Sequence, residues 1–359
     1  MDVSGRRIWH VSAGDEDRHW ADLCLEWDVI LNGPGSEGPW PGCLEPLRSA
    51  LETLRLPREF AERKLSDLHR FCEEVQDGDI VVLRAGTSDV YGVGVVAGGY
   101  IWHEEFRDID GWDYGHVRRV RWLWRYGDAP RRFARHTLRP GDTVQVMDAK
   151  PVLEWLESLS VDPEAWRRPL RDLPAPSRDL ELDEISGYLL KRGVDGAVVE
   201  RLPERVGEVL RLVQWYGRNR YPSEVEATAH LVVPLLRALG WTPEKTAVNW
   251  EGADVALFAS LPREEGNLAA VVEVKPYDEF FLVMRSSEAK THAGLVGEET
   301  CSRLIVTNGW LYGVYLKKDG IFGNRPDAYL NLTRMRDAYP VLDCRGAKDA
   351  LLYMAAEWA

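Results

Sequence analysis

Over residues 1–148, apolar residues recur in short runs at alternating positions. Ile8 to Ser12, Val29 to Leu31, Ile80 to Arg84, Val90 to Ala97, Val117 to Trp124 and Thr143 to Met147 read as strands. Asn32 to Gly42 is crowded with Gly and Pro and reads as a long turn, and Asp77-Gly78-Asp79 as a tight one. Pro57 to Val75 changes period: Phe60, Leu65, Leu68 and Phe71 fall at helical spacing. Many short strands at this spacing predict a small barrel. A different zone comes next, with Pro163, Pro169, Pro174 and Pro176 and then a helical stretch from Leu182 to Tyr216. From Ser223 onward, helical and strand-like segments alternate, which predicts an α/β unit. Three zones result: a β-rich domain over 1–148, a connector with a small helical module over 149–222, and an α/β domain over 223–359.

Composition narrows the class. The 359 residues suit about two domains and a connector, and 45% hydrophobic with 29% charged residues is ordinary globular chemistry. Apolar runs such as Leu231 to Leu236 are far short of a bilayer span, so no membrane partner is expected. Met1 to His10 has no apolar run behind its arginines and does not read as a signal peptide. The five cysteines are scattered, with no CxxC pair, which argues for a reducing cytoplasm and against a zinc or disulfide framework. A net charge of −13 argues at first against nucleic acid. Yet Arg118 to Arg139 holds eight arginines against one acid, Asp128. Arg118, Arg119, Arg121 and Arg125 are therefore candidate phosphate contacts, with docking onto the chain's own acidic remainder as the other reading.

The α/β zone carries the sharper chemistry. Gly252 to Phe258 and Val271 to Lys275 are strand-like, and Leu261 to Asn267, with Pro262 and Gly266, suits a hairpin turn. Pairing about that turn sets Asp254 nearly opposite Glu273, with side chains ~5 Å apart. Two carboxylates that close repel unless a cation lies between them, and a hard divalent ion fits an all-oxygen set. Glu273 and Lys275 are two apart and share a face. Asp254, Glu273 and the Val274 carbonyl are thus candidate Mg²⁺ ligands, with Mn²⁺ as a substitute, and Lys275 a candidate for handling the attacking water. A same-face surface ion pair between Glu273 and Lys275 is the plainer alternative. Upstream, Ser223 and Glu226 fit a capping box, and Glu224 falls on the flank of the face bearing Leu231, Leu235 and Leu239. Pro234 lies inside this helix and requires a local distortion.

Ser223-Glu224-Val225-Glu226, Leu231 to Trp241, Asp254 to Phe258, Glu273-Val274-Lys275 and Val306-Thr307-Asn308-Gly309 together resemble the PD-(D/E)xK nuclease domain at the N-terminus of type I restriction motor subunits. The resemblance covers about 120 residues. It implies a restriction-endonuclease-like α/β core, a mixed sheet flanked by helices, with Asp254, Glu273 and Lys275 catalytic and Glu224 the helix acid. The family commonly shows a Gln-x-x-x-Tyr helix after the lysine, whereas this chain reads Glu288 to Leu295 there. No GxxxxGK[ST] occurs, so no nucleoside triphosphate is expected.

The N-terminal zone has its own likeness. Ile8-Trp9-His10-Val11, Val29 to Gly33, Gly78 to Val82, Tyr91 to Val96, Tyr100 and Arg118 to Leu123 resemble the EVE-like (PUA/YTH-type) domains fused to Mrr-type restriction proteins. Such domains hold a flipped, modified base in an aromatic pocket. The likeness implies a PUA/EVE-like barrel in which Trp20, Trp40, Tyr100 and Trp102 offer stacking faces and Asn32 an edge contact. Trp40, between prolines and glycines, is expected to have no core to enter. The two resemblances imply a modification-dependent restriction endonuclease of prokaryotic antiphage defence, acting on DNA with Mg²⁺. Double-strand cleavage with one site per chain would imply a homodimer. A nuclease acting on modified RNA and a non-catalytic sensor are the alternatives.

Overall fold

The computed structural model describes residues 1, 3, 5–53, 58–279 and 301–358. The chain divides into two compact units, Met1–Pro174 and Ala175–Ala359. The expected connector over 149–222 is therefore not one body, since its first part belongs to one unit and its second part to the other. Both units are mixed α/β, each built on a mixed sheet.

In the first unit, β1 (Ile8–Ser12) runs parallel to β3 (Ile80–Ala85), and α1 (Ala21–Trp27), β2 (Val29–Asn32), α2 (Leu44–Thr53) and α3 (Arg58–His69) intervene. β4 (Asp89–Trp102) spans 14 residues and pairs with β3, β5 (His116–Arg125) and the short β6 (Arg131–Arg132). With β7 (Val144–Val146), the sheet runs β2-β5-β4-β3-β1-β7. Two register shifts in the β4–β5 pairing curl it. The outcome is a curled half-barrel, the barrel-like region expected of many short strands. Ile80, Val82, Val90 and Val93 pack under α4 (Lys150–Ser158) through Val152 and Leu156, so residues just after the expected domain boundary complete this core.

The second unit opens with α5 (Leu182–Lys191) and α6 (Gly196–Arg218). The single helical stretch expected over 182–216 breaks at Gly193, where φ is +92°. Asp195 then caps α6, accepting from the Ala197 N–H at 2.7 Å. The short helix α7 (Glu224–Ala227) carries the expected capping box, with Glu226 Oε2 2.9 Å from the Ser223 N–H. One π turn, Thr228–Val232, separates it from α8 (Val233–Ala238). This turn is the distortion Pro234 requires: Val233 bonds back to Thr228, and the proline, lacking an N–H, takes an early position in α8. An extra residue in the turn also slips the helical phase, so the flank position expected for Glu224 does not carry across it.

β8 (Thr246–Trp250), β9 (Ala253–Phe258) and β10 (Leu268–Val274) form an antiparallel meander. β10 then runs parallel to β11 (Arg303–Thr307), and β12 (Leu311–Lys318) returns antiparallel, with the short β13 (Ile321–Phe322) paired to its end. The segment Glu288 to Leu295, where the family's glutamine helix would fall, lies outside the described residues. β14 (Ala328–Asn331) and the C-terminal helix Ala347–Met354 close the core, in which Leu231, Leu235, Val255, Leu257, Val272, Ile305 and Leu351 meet.

Candidate active site and nucleic-acid interface

The β9–β10 register pairs Val255 with Val272 and Ala256 with Val271. A bulge between Leu268 and Ala270 sets that register, and its next step places Asp254 across from Glu273. Asp254 reaches over the hairpin, its Oδ2 accepting from the Val274 N–H at 2.7 Å. Glu273 is 6% exposed, and its Oε1 lies 3.0 Å from Lys275 Nζ. This ion pair is not the surface pair of the plainer reading, because both side chains are largely buried. Asp254, Glu273 and Lys275 are thus brought to one place at the carboxyl end of β10, beside its parallel neighbour β11.

The end of β11 fixes the backbone beyond the lysine. Thr307 O accepts from the Lys275 N–H at 2.7 Å. Asn308 donates its Nδ2 to the carbonyls of Tyr277 and Glu279, at 3.2 and 2.9 Å. Gly309 has φ +97°, and a Cβ there would lie 2.8 Å from Leu231 Cδ1, so the π turn packs directly on this corner. Glu224 is exposed at the first position of α7. Its role stays an expectation drawn from the family likeness.

The donors fit Mg²⁺ in kind. All are oxygens, and Mg²⁺ is commonly held by one or two carboxylates with waters and substrate phosphate completing the shell. Among the described residues no group of three or more His, Cys, Asp or Glu could hold a metal ion, so any ion here would rest on this two-carboxylate mode.

In the first unit, four of the five expected base-pocket residues converge on the loop after β2. Asn32 is buried, donating to Asp67 Oδ2 at 3.3 Å and accepting from the Gly33 N–H at 2.9 Å. Trp102 Nε1 donates to Gly35 O at 3.0 Å. Tyr100 accepts from the Trp40 N–H at 3.1 Å, and its hydroxyl lies 2.8 Å from His116 Nδ1. Trp40 departs from expectation: its half-buried ring packs on the Leu47, Leu51, Leu65 and Leu68 cluster made by α2 and α3, and its Nε1 donates to Glu73 at 2.7 Å. Trp20 stands apart, buried at the start of α1. His116, which the sequence reading did not single out, links the set through Nε2, 2.9 Å from Pro34 O. Its signal was only a histidine opening a strand rich in arginine, valine and tryptophan.

The four arginines differ from exposed phosphate contacts. Arg118 is 3% exposed and donates to the carbonyls of Phe71 and Cys72 at 3.0 and 2.6 Å, capping the π turn Arg70–Glu74. Burial holds its guanidinium below the usual range. Arg121 donates to Trp166 O and Arg168 O at 2.7 and 3.1 Å, and Arg119 to Arg171 O. Arg125 and Arg168 both pair with Asp28 at 2.7 Å. Arg119 and Arg121 clasp the segment Asp162 to Arg171 onto β5, while Arg118 holds the π turn and Arg125 holds Asp28, so docking within the chain is the reading they fit, with backbone carbonyls more than acids as partners. Replacing Arg118 with Gln should cost about 3 kcal/mol, because buried carbonyls lose charged donors. Calorimetry should show a fall of roughly 6–12 °C in the melting temperature of this unit. Arg135→Gln, at an exposed position, should stay within about 0.5 kcal/mol of wild type.

Residues 9–139, within the first unit, match the family model described as "Domain of unknown function (DUF8426)". No curated protein and no solved structure matches the chain.

Proposed function

We propose that this chain is a modification-dependent restriction endonuclease that hydrolyses DNA phosphodiesters with Mg²⁺ in prokaryotic antiphage defence. The observation that carries the reading is the β9–β10 hairpin, in which Asp254 reaches the Val274 N–H next to Glu273 and the largely buried Lys275 side chain pairs with Glu273. Asp254, Glu273 and the Val274 carbonyl would hold the ion. When bound, Mg²⁺ would supply Lewis acidity toward the phosphate and make water a better nucleophile at neutral pH. Lys275 would orient the attacking water and stabilise charge developing on the phosphoryl oxygens. Glu224, as the helix acid, would serve the same site. In the first unit, the loop held by Asn32, Tyr100, Trp102 and His116 would present the modified base, and phosphate contacts elsewhere would add sequence-independent affinity.

Digestion of matched modified and unmodified phage DNA, with Mg²⁺ and with chelator, tests the proposal. Cleavage of modified DNA in Mg²⁺ alone is expected. Equal cleavage of both DNAs would remove the base-reading role, and cleavage in chelator would remove the metal-dependent mechanism. Cleavage of modified RNA but not DNA would favour the RNA alternative, and absence of any cleavage the non-catalytic one.

A further inference from the structure

The carboxyl end of α6 and the three residues after it run Arg211-Leu212-Val213-Gln214-Trp215-Tyr216-Gly217-Arg218-Asn219-Arg220-Tyr221, interleaving aromatic and basic residues without one acid. Arg211, Arg218 and Arg220 are exposed. So are two large rings, Trp215 at 54% and Tyr221 at 52%. Lone exposed apolar residues need no explanation, but these rings belong to a connected series. Trp215 meets Tyr216 edge-on at 5.1 Å, Tyr216 lies 6.1 Å from Tyr277, and Tyr221 leans over Tyr277 at 5.4 Å and 34°. Tyr277 is itself fixed, its hydroxyl donating to Val213 O at 2.7 Å.

This series leads to the candidate active site. Tyr277 lies two residues beyond Lys275, and its carbonyl accepts from Asn308, whose neighbour Thr307 holds the Lys275 N–H. Asn219 closes the helix by donating its Nδ2 to Trp215 O at 2.7 Å, which fixes the turn bearing Arg218, Arg220 and Tyr221.

We propose that this ledge binds an unpaired DNA strand, bases stacking on Trp215 and Tyr221 and phosphates meeting Arg218 and Arg220, next to the Asp254–Glu273–Lys275 site. The proposal rests on the nuclease reading only for what happens to the strand afterwards. Exposed rings with nearby guanidinium groups suit bases whose faces are open, because every base has a stacking face and the backbone is anionic. A duplex buries those faces and offers phosphates and groove edges instead. Arg211, Arg218 and Arg220 keep this stretch basic, with Glu226 of α7 near Arg220, and guanidinium groups beside open rings suit an anionic strand better than a neutral partner surface.

The test is fluorescence anisotropy of the full-length protein in chelator, with a labelled single-stranded 15-nucleotide DNA and its duplex. Trp215→Ala and Tyr221→Ala should each weaken single-strand binding by about five- to 150-fold and leave duplex binding nearly unchanged. Tyr221→Phe should retain wild-type affinity. Arg218→Gln with Arg220→Gln should lower the single-strand salt slope by about 1.4. Unchanged single-strand affinity in both alanine variants, equal losses on duplex, or no single-strand binding by wild type would each overturn the proposal. If the ledge binds strand but nothing is cleaved in Mg²⁺, the nuclease reading fails and the ledge stands. If DNA is cleaved while both alanine variants bind as wild type, the ledge alone fails.

Discussion

Lys275→Ala should lower Mg²⁺-dependent cleavage by about 10²–10³-fold, the usual contribution of one donor placed where charge develops. The argument begins with the ion pair. Lys275 Nζ lies 3.0 Å from Glu273 Oε1, and both side chains are largely buried. Removing the ammonium leaves the Glu273 carboxylate next to Asp254 without its cation, which should cost about 1–3 kcal/mol of stability. A purely structural role would stop there. In the proposed role, cleavage collapses while DNA binding in chelator is kept, because the lysine acts on the water rather than holding the strand. Arginine keeps the charge but not the compact ammonium, so Lys275→Arg should restore melting temperature without restoring rate. Wild-type cleavage by Lys275→Ala, measured on protein with a normal circular dichroism spectrum, would end the assignment of catalysis to this site. Asp254→Asn gives an independent check. It preserves an oxygen able to accept from the Val274 N–H but removes charge, so it should fold and fail to cleave.

Why this cluster was legible in the sequence is a matter of hairpin geometry. Two apolar strand runs around a loop with Pro262 and Gly266 admit few registers, and a slip of one residue would turn Asp254 to the other face. The first unit hid more. Arg118 and Val120 share a strand face, and Val120 is fully buried. That parity already placed Arg118 inside, but reading charge alone put it outside. The carbonyls that receive Arg118, Arg119 and Arg121 belong to every residue type, so composition cannot announce them. The prolines between Pro163 and Pro176 therefore read as a connector, although Asp28 and β5 hold much of that segment in the first unit. Trp40 failed differently. Its own loop offers no core, and the one it uses comes from α2 and α3, elements whose packing no local pattern shows.

Acidification below pH 6.5 should unfold the first unit far more readily than loss of carboxylate pairing alone would do. His10 is 2% exposed and His116 is 0% exposed. Burial, aided for His10 by the neighbouring Arg84, lowers each imidazole from 6.5 to about 4. The hydrogen bonds agree with the neutral form. His10 Nδ1 accepts from Arg84 Nε at 2.9 Å, so a proton there would face a guanidinium. His116 places its Nε2 against Pro34 O, which leaves Nδ1 to accept from the Tyr100 hydroxyl. Protonating Nδ1 would break the link from the Trp40 N–H through Tyr100 to the loop. Because the folded value lies below the unfolded one, the unfolded chain binds more protons between pH 4 and 6.5. Stability is then fully present above about pH 6.5 and falls as pH drops toward 4. Each histidine contributes on the order of 3 kcal/mol across that window. Replacing His116 with Gln, which can still accept from Tyr100, should lower stability at pH 7.5 but flatten the slope of stability against pH by roughly one proton's worth. Urea unfolding of wild type and variant at half-unit steps from pH 7.5 to 4.5 would show it. Parallel slopes would mean that His116 takes up its proton as readily in the folded protein as in the unfolded one, so that burial does not hold it neutral.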